Sequence, residues 1–539
     1  VKTFAIALTL TVSLATVSLS AATRPNIVIL LADDMGYSDL GCYGGEIETP
    51  NIDRLAENGL RFTDFYNAGR CCPTRASLLT GLYAHQAGIG HMTNEDVRMR
   101  FDMGYEGYRG QLNRQCVTIA EALKPAGYRT LMTGKWHVGT FPGMWPVDRG
   151  FDRYFGTIRG AANFFRPNPN KLLTLDRTPV VPADDYYSTD TFTDYALKFI
   201  DDAEREDDDQ PFFLYLAYMS PHWPLHAPEE DVAKYRGKYR GGWDKLRAER
   251  LDRMRRMGLI DRRWKLAPLD AVRWSALPAS TQDEMDLRMA TYAAQIDRMD
   301  QNIGRLVEGL EAKGELENTL IFFLIDNGGC AEGGMLGGGP AWQLGSKKGY
   351  FLTYGRGWAQ ASNTPFREYK HWVHEGGVST PLVVQWLDRV EKGGAFRRQP
   401  AHLIDLMATA LDVAGAEYPT NLNGESIRPL EGKSLVPAFD DERIDREAIY
   451  FEHEGNRAVR TESWKLVAKD GRPWELYDVR ADRSEADDLS TRRPAVRDRL
   501  VEMYNAWASR AHVLPGRPER KPGFTPPQRD YPPMADYEP

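Results

Sequence analysis

The sequence predicts an α/β fold: a large, mostly parallel sheet sandwiched by helices, followed by a smaller C-terminal unit of antiparallel sheet plus one helix. Three observations carry this. Residues 26–31, 212–217, 320–325 and 382–386 are continuous apolar runs, the pattern of strands buried on both faces. Loops and helix-like segments separate them, so strand and helix alternate along the chain. From about Ile444 the pattern breaks into short strand-like pieces divided by turn residues, which marks a change of architecture.

At the N-terminus Lys2 supplies a positive charge, residues 4–17 are apolar and residues 18–22 are small, the pattern of an export leader over residues 1–22. The run is short for a membrane span and ends at Arg24-Pro25; a first buried helix or strand is the alternative. After the first strand, residues 51–58 read as a helix stopped by Gly59. Residues 62–66 alternate like a strand, and residues 76–79 suit a helix start. Thr118 and Glu121 form a capping box for a helix reaching Lys124, and Gly127 opens the next strand. Tyr292, Ile296, Met299, Ile303, Leu306 and Leu310 fall on one face of a long helix and read as core packing. Residues 229–280 are basic and Trp-rich, with Arg255, Arg256, Arg262 and Arg263, and read as a solvated helical excursion rather than a nucleic-acid surface. Residues 448–452, 456–461, 464–468 and 475–477 are the short strands of the C-terminal unit, and residues 494–511 its helix. The organisation expected is therefore a leader (1–22), a main domain (23–443), a small α+β subdomain (444–514) and a Pro-rich, extended or disordered tail (515–539).

A chain of 539 residues is too long for one small core, and 42% hydrophobic with 27% charged residues describes an ordinary globular enzyme. The formal charge of −8 argues against a general nucleic-acid or membrane-surface binder, so an anionic substrate would need a local basic pocket. Cys42, Cys71, Cys72, Cys116 and Cys330 fit neither a zinc site nor a dense disulfide framework, and leave room for one disulfide.

The chemistry gathers at strand ends. Asp33-Asp34 follows the first buried strand directly, and Asp326-Asn327 follows another with Gly328-Gly329 behind it. In an open α/β sheet the loops at the carboxyl ends of parallel strands meet at one edge, so the two pairs can converge. Three carboxylates and an amide oxygen make a hard, all-oxygen site that suits Ca²⁺ or Mg²⁺ better than zinc. Lys135 and His137 lie in Gly134–Gly139 at another strand end, and an extended backbone would project both to the same side. His222 sits in Ser220-Pro221-His222-Trp223-Pro224, a loop rigidified by its prolines, and Lys370 shortly precedes Glu375-Gly376-Gly377.

Cys71-Cys72-Pro73-Thr74-Arg75, followed by Thr80-Gly81, resembles the signature of the type I sulfatases, an alkaline-phosphatase-like family, and the resemblance runs from Asn26 to about Leu489. Within that family the chain is most similar to bacterial arylsulfatases, notably over residues 363–381. The resemblance implies that a maturation enzyme oxidises Cys71 to formylglycine, while Cys72 stays an ordinary cysteine. It implies Ca²⁺ at Asp33, Asp34, Asp326 and Asn327. It also implies roles: a hydroxyl of the aldehyde hydrate attacks sulfur with Asp326 aiding its deprotonation, and Arg75 holds the hydrate. Lys135, His222 and Lys370 bind the ester; His222, with Lys370, protonates the departing oxygen; His137 then deprotonates the remaining hydroxyl. The expected substrate is an aryl sulfate or a sulfated carbohydrate, met outside the cytoplasm. Two rival readings are a phosphate or phosphonate ester hydrolase, for which a His-richer two-metal site is expected, and a non-catalytic binder of sulfated glycans. Pocket walls are expected from residues 160–187, 224–280 and 329–360, with Phe164, Phe165, Trp342 and Tyr350 as candidate platforms.

Overall fold

The computed structural model describes residues 24–95, 98–207 and 209–529. The expected leader and the last part of the tail lie outside these residues. Among the described residues, eleven strands form one large sheet. Its centre runs Ser379–Gln385, Thr319–Ile325, Asn26–Ala32, Phe212–Ala217, Arg129–Gly134 and Arg153–Thr157. From Thr319–Ile325 through Arg153–Thr157 every neighbouring pair is parallel. The strands Asn26–Ala32, Phe212–Ala217 and Thr319–Ile325 are buried along their whole length, as their unbroken apolar composition requires.

Within this centre one strand departs from the parallel pattern. Ser379–Gln385 runs antiparallel to both Thr319–Ile325 and Leu60–Tyr66, with Leu382 opposite Leu324 and Ser379 opposite Tyr66. Its first residue therefore lies at the sheet edge where the parallel strands end. That reversal brings the segment before it, including Lys370 and Glu375, to the edge that carries Asp33 and Asp326.

Two core layers flank the sheet. One holds the long helix Ala279–Ala312, whose Tyr292, Ile296, Met299, Ile303, Leu306 and Leu310 are all buried, as the periodicity predicts. The other holds the helices Cys71–Thr80, Ile119–Leu123 and Asp405–Ala414. Thr118 and Glu121 form the expected capping box. A four-stranded antiparallel sheet, Ile449–His453 through Glu475–Asp478, and the helix Pro494–Arg510 complete the chain as anticipated.

Two expectations need correction. The 229–280 segment is not simply solvated: Trp243 and Trp274 are buried against Trp358, and Arg250 is fully buried between Asp39 (2.6 Å) and Glu46 (2.8 Å). Its charges are partly internal pairs, which is why composition misleads there. The described part of the tail is extended but docked, with Lys521 N–H donating to Met103 O and the Phe524 ring lying against Gly104. All five cysteines are buried and unbonded to one another. No described helix is long and apolar enough to cross a membrane.

Candidate active site

The side chains singled out at strand ends meet at one edge of the sheet. Asp33 and Asp34 leave the central strand, with Asp34 at φ 64° turning the chain sharply. Asp326 and Asn327 leave the neighbouring strand, and Asp34 N–H donates to Asp326 Oδ1 at 3.1 Å. Gly328 lets this end press onto the helix Glu375–Val378: a Cβ there would lie 1.8 Å from Gly376 O. Gly328 N–H donates to Gly377 O, and Lys370 N–H to Gly329 O, which fixes the Lys370 loop against the acidic ends. Cys71 opens the helix Cys71–Thr80, and Arg75 follows one turn later on the same face.

Arg75 is the hub. Its Nη2 lies 3.2 Å from both Asp33 Oδ2 and Asp326 Oδ2, and its Nη1 donates to Lys135 O at 2.8 Å. Lys135 Nζ lies 2.6 Å from Asp33 Oδ2. Lys370 Nζ lies 2.8 Å from the Asp34 carboxylate and 3.2 Å from His222 Nε2, and His222 Nε2 is 3.2 Å from Asp34 Oδ2. Asn327 Nδ2 donates to Asp34 Oδ1 at 2.7 Å. Arg75, Lys135, Asp33 and Asp326 are completely shut off from solvent. Charges buried so deeply persist only when paired.

The pairing is incomplete on the acidic side, and the deficit has the chemistry of a cation site. Asp33 Oδ1 and Asn327 Oδ1 are buried oxygens without a hydrogen-bond donor. Burial first, then the neighbouring Asp33, pushes the Asp326 carboxyl well above the usual carboxylate range. Burial works the same way on Asp33, but Lys135, His222 and Arg75 outweigh it and hold Asp33 low. A hard divalent cation would satisfy the two orphaned oxygens and lower Asp326, so these residues fit such an ion. Asp33, Asp34 and His222 also offer ligand atoms within 4.8 Å of one another, an imidazole that the all-oxygen expectation did not include.

The side chain at position 71 is a buried, free cysteine. Cys71, Cys72 and His137 present atoms within 4.8 Å of one another. A hydrogen bond from Cys72 pulls the Cys71 thiol well below its ordinary value, against burial and with help from Lys135 and His137. Cys72, expected to be a bystander, lies with Sγ 3.4 Å from His137 Nε2. Lys135 and His137 do converge on this pocket, but not on an extended strand: the strand ends at Gly134 and His137 takes φ 58°.

His222 is oriented by its own loop. Its Nδ1 donates to Trp223 O at 2.6 Å, which leaves Nε2 as the atom facing Lys370 and Asp34. Burial lowers the affinity of His222 for its proton, and Lys370 adds to this against Asp34. Lys370 stays charged despite burial because Asp34 and Glu332 face it.

Sequence reasoning missed four residues. Glu95 Oε1 lies 2.9 Å from His137 Nε2 and accepts from Gly160 N–H. Arg70 pairs with Glu332 at 3.0 Å, and Glu332 accepts from Trp223 Nε1 at 2.7 Å. Arg70 and Trp223 flank Cys71 and His222, so adjacency was a usable signal; Glu95 and Glu332 lie in no recognisable motif. Of the candidate platforms, Phe164 is buried packing on Tyr187, whereas Tyr350 is 40% and Trp342 70% exposed. Tyr350 stands edge-on to Trp223, with ring centroids 5.4 Å apart.

Along most of its length the chain is similar to known sulfatases. Residues 25–416 match the sulfatase family, and residues 367–505 match the C-terminal region described as N-sulphoglucosamine sulphohydrolase. An uncharacterised sulfatase of Schizosaccharomyces pombe is 34% identical over 531 residues, covering 91% of this chain and 94% of the relative. An arylsulfatase of Klebsiella aerogenes is also 34% identical, over 431 residues covering 76% of this chain and 91% of its own. Among solved structures, Ps i-CgsB in complex with k-i-k-neocarrahexaose superposes with a TM-score of 0.68 at 27% identity, covering 92% of this chain and 95% of that one. The match along most of the chain to sulfatases makes this protein, with its two acidic strand ends and its ring of Lys and His beside Cys71, a member of the sulfatase family and a sulfuric ester hydrolase.

Proposed function

We propose that this enzyme hydrolyses sulfate monoesters with a formylglycine made from Cys71 and a calcium ion held by Asp33, Asp34, Asp326 and Asn327. One observation carries the reading: Arg75, a turn beyond Cys71, joins Asp33 and Asp326, and Lys135 is bonded to the same Asp33. Nucleophile position, cation site and sulfate-binding charges are thus one connected unit.

The calcium ion would supply positive charge to a sulfate oxygen and to the attacking hydroxyl. Formylglycine would supply, as its hydrate, a hydroxyl nucleophile and a second hydroxyl through which sulfate is expelled. The chain's own residues do the rest. Lys135 and Lys370 meet sulfate oxygens with charges that neighbouring carboxylates keep in place. His222, its Nδ1 tied to Trp223 O, presents Nε2 to the departing ester oxygen and, once the bound sulfate's negative charge favours its protonation, gives that proton to it. Lys370, 3.2 Å from that nitrogen, steers the same oxygen. Asp326 takes a proton from the attacking side, and His137, its Nε2–H held by Glu95, takes one from position 71 afterwards.

The substrates proposed are small aryl sulfates and, as the natural class, sulfated carbohydrates. The arylsulfatase relative and the exposed Tyr350 edge beside Trp223 support both, since a flat aromatic rim accepts an aryl ring or a sugar face. The leader-like residues 2–22 support action outside the cytoplasm.

The test is made on native material. Mass analysis of the peptide containing Cys71 should find an aldehyde in place of the thiol, and the protein should release sulfate from aryl and carbohydrate sulfates tested side by side. Cys71→Ala should retain the fold and lose turnover. Sulfate release at full rate from protein whose Cys71 is entirely thiol would sink the formylglycine reading.

A further inference from the structure

Away from the sulfate chemistry, a second cluster has no assigned role. The hairpin Ile449–His453 to Asn456–Arg460 turns through Glu454 and Gly455, both at positive φ (50° and 83°). The tip brings His453 and Glu454 against His371, the residue after Lys370, which is itself held at φ 89° with its N–H on Gly69 O. The His371 and His453 rings lie 5.4 Å apart, and His453 Nε2 is 3.8 Å from Glu454 Oε1. One atom from each of His371, His453 and Glu454 falls within 4.8 Å of the others.

The anomaly is His453. It is completely buried, yet neither ring nitrogen has a hydrogen-bond partner. Buried polar atoms left unpaired are costly, so two on one ring, with a second imidazole and a carboxylate beside it, leave a place for a ligand. We propose that His371, His453 and Glu454 form a site for a zinc-like divalent transition ion, which staples the C-terminal hairpin to the loop carrying Lys370.

The donor chemistry selects the ion. Two imidazoles and one carboxylate suit Zn²⁺ and its neighbours and are poor for Ca²⁺, in contrast to the oxygen-rich site at Asp33. His371 Nε2 receives a long 3.4 Å contact from Asn456 Nδ2, so that nitrogen carries a lone pair. Arg517 binds Glu454 Oε2 at 3.1 Å and leaves Oε1 for the cluster, the kind of outer contact that orients a ligating carboxylate. His91 does not join as a ligand. Its Nδ1 accepts from Met92 N–H, which places its proton on Nε2, 3.5 Å from Glu454 Oε1. Three protein ligands leave a position for water. Arg70 and Arg517 oppose a cation here, and Glu332 and Glu454 favour it.

The test uses the full chain, stripped with a chelator and titrated calorimetrically with Zn²⁺ in excess Ca²⁺. Wild type should take up one equivalent and melt at a higher temperature with zinc. Glu454→Gln, at an accessible turn, and His371→Ala should each weaken binding by roughly tenfold to a hundredfold or more and abolish the shift in melting. Bound Co²⁺ should show visible bands that vanish in the same variants. Absence of zinc uptake by wild type overturns the proposal. So does uptake unchanged in Glu454→Gln, or uptake lost in Cys72→Ala alone, which would place the ion at Cys71, Cys72 and His137. Sulfate release by the calcium-loaded, zinc-free enzyme reads the sulfatase mechanism separately.

Discussion

His222 shows how one backbone carbonyl sets the chemistry of a side chain. With Nδ1–H spent on Trp223 O, the Nε2 atom alone can carry a proton toward a leaving oxygen. Protonation matters most when the leaving group is a poor one. His222→Gln is therefore expected to slow release of sulfate from carbohydrate or alkyl esters by about 10²–10⁴, the span of general acid catalysis. Activated aryl sulfates should lose much less. Steady-state rates over a series of leaving groups give the answer, and an equal loss for every ester would remove the acid role from His222. At this scale the sequence was informative because Asp33, Asp34, Arg75, Lys135, His137, His222, Asp326, Asn327 and Lys370 each sit beside a motif or strand end. Glu95 and Glu332 were not legible. A lone Glu in a loop has no local pattern, and only tertiary folding reveals what it faces.

Between elements, a buried ionic knot joins the two sheets and sits just behind the Lys370 loop. Glu375 lies 2.9 Å from Lys465 and 2.6 Å from Arg483, and Lys465 also pairs with Glu485 at 3.0 Å. Burial alone would raise the Glu375 carboxyl, but Lys465, Arg483 and Arg460 overcome it and hold it far below the usual range. Removing one partner strands a buried charge. Lys465→Met should destabilise the protein by about 3–5 kcal/mol, measured by urea unfolding. Adding Glu485→Gln should recover part of that loss, because the carboxylate that Lys465 alone neutralised is then gone, whereas Glu375 keeps Arg483; a strictly additive double variant would show that Lys465 and Glu485 are not coupled. A second element-scale effect belongs to His226. Its Nε2 donates to Lys348 O, its Nδ1 is buried without a partner, and burial lowers its pKa from 6.5 to about 4. The folded state thus keeps His226 neutral where the unfolded chain is protonated. Stability from this residue is intact above pH 6.5, falls as pH drops toward 4, and levels off below, a loss of up to about 3 kcal/mol. His226→Gln retains a donor for Lys348 O and should flatten that part of the profile in unfolding experiments at pH 7 and pH 4.5. The packing behind both effects was hidden in the sequence. Charges such as Arg250 and Lys465 read as surface residues until partners from distant segments bury them.

For the molecule as a whole, the sheet was readable because strands buried on both faces are written as unbroken apolar runs. The reversed direction of Ser379–Gln385 was not readable, since composition says nothing about which way a buried strand runs. Yet that reversal delivers Lys370 to the site and closes a ring of charge around the acidic strand ends. A cation held at this ring, as proposed, would add to the stability of the whole fold. Without one, Asp33, Asp34 and Asp326 crowd at the carboxyl ends of two adjacent strands, with Asp326 driven toward its neutral form and two oxygens left unpaired. These strands are the centre of the fold, so relief at this point is felt by the cooperative unit and not by a loop. An ion that binds only the folded state stabilises it by RT ln(1 + [L]/Kd), about 2.7 kcal/mol at a hundredfold excess over Kd. Calcium added to chelator-treated protein should therefore raise the melting temperature in a concentration-dependent way, read by scanning calorimetry. Asn327→Ala, which deletes one orphaned oxygen together with the Nδ2 hydrogen bond to Asp34, should lower the calcium-free melting temperature and also shift that dependence to higher calcium. A melting temperature indifferent to calcium in the wild type would mean that the carboxylates are balanced by Arg75, Lys135 and Lys370 alone.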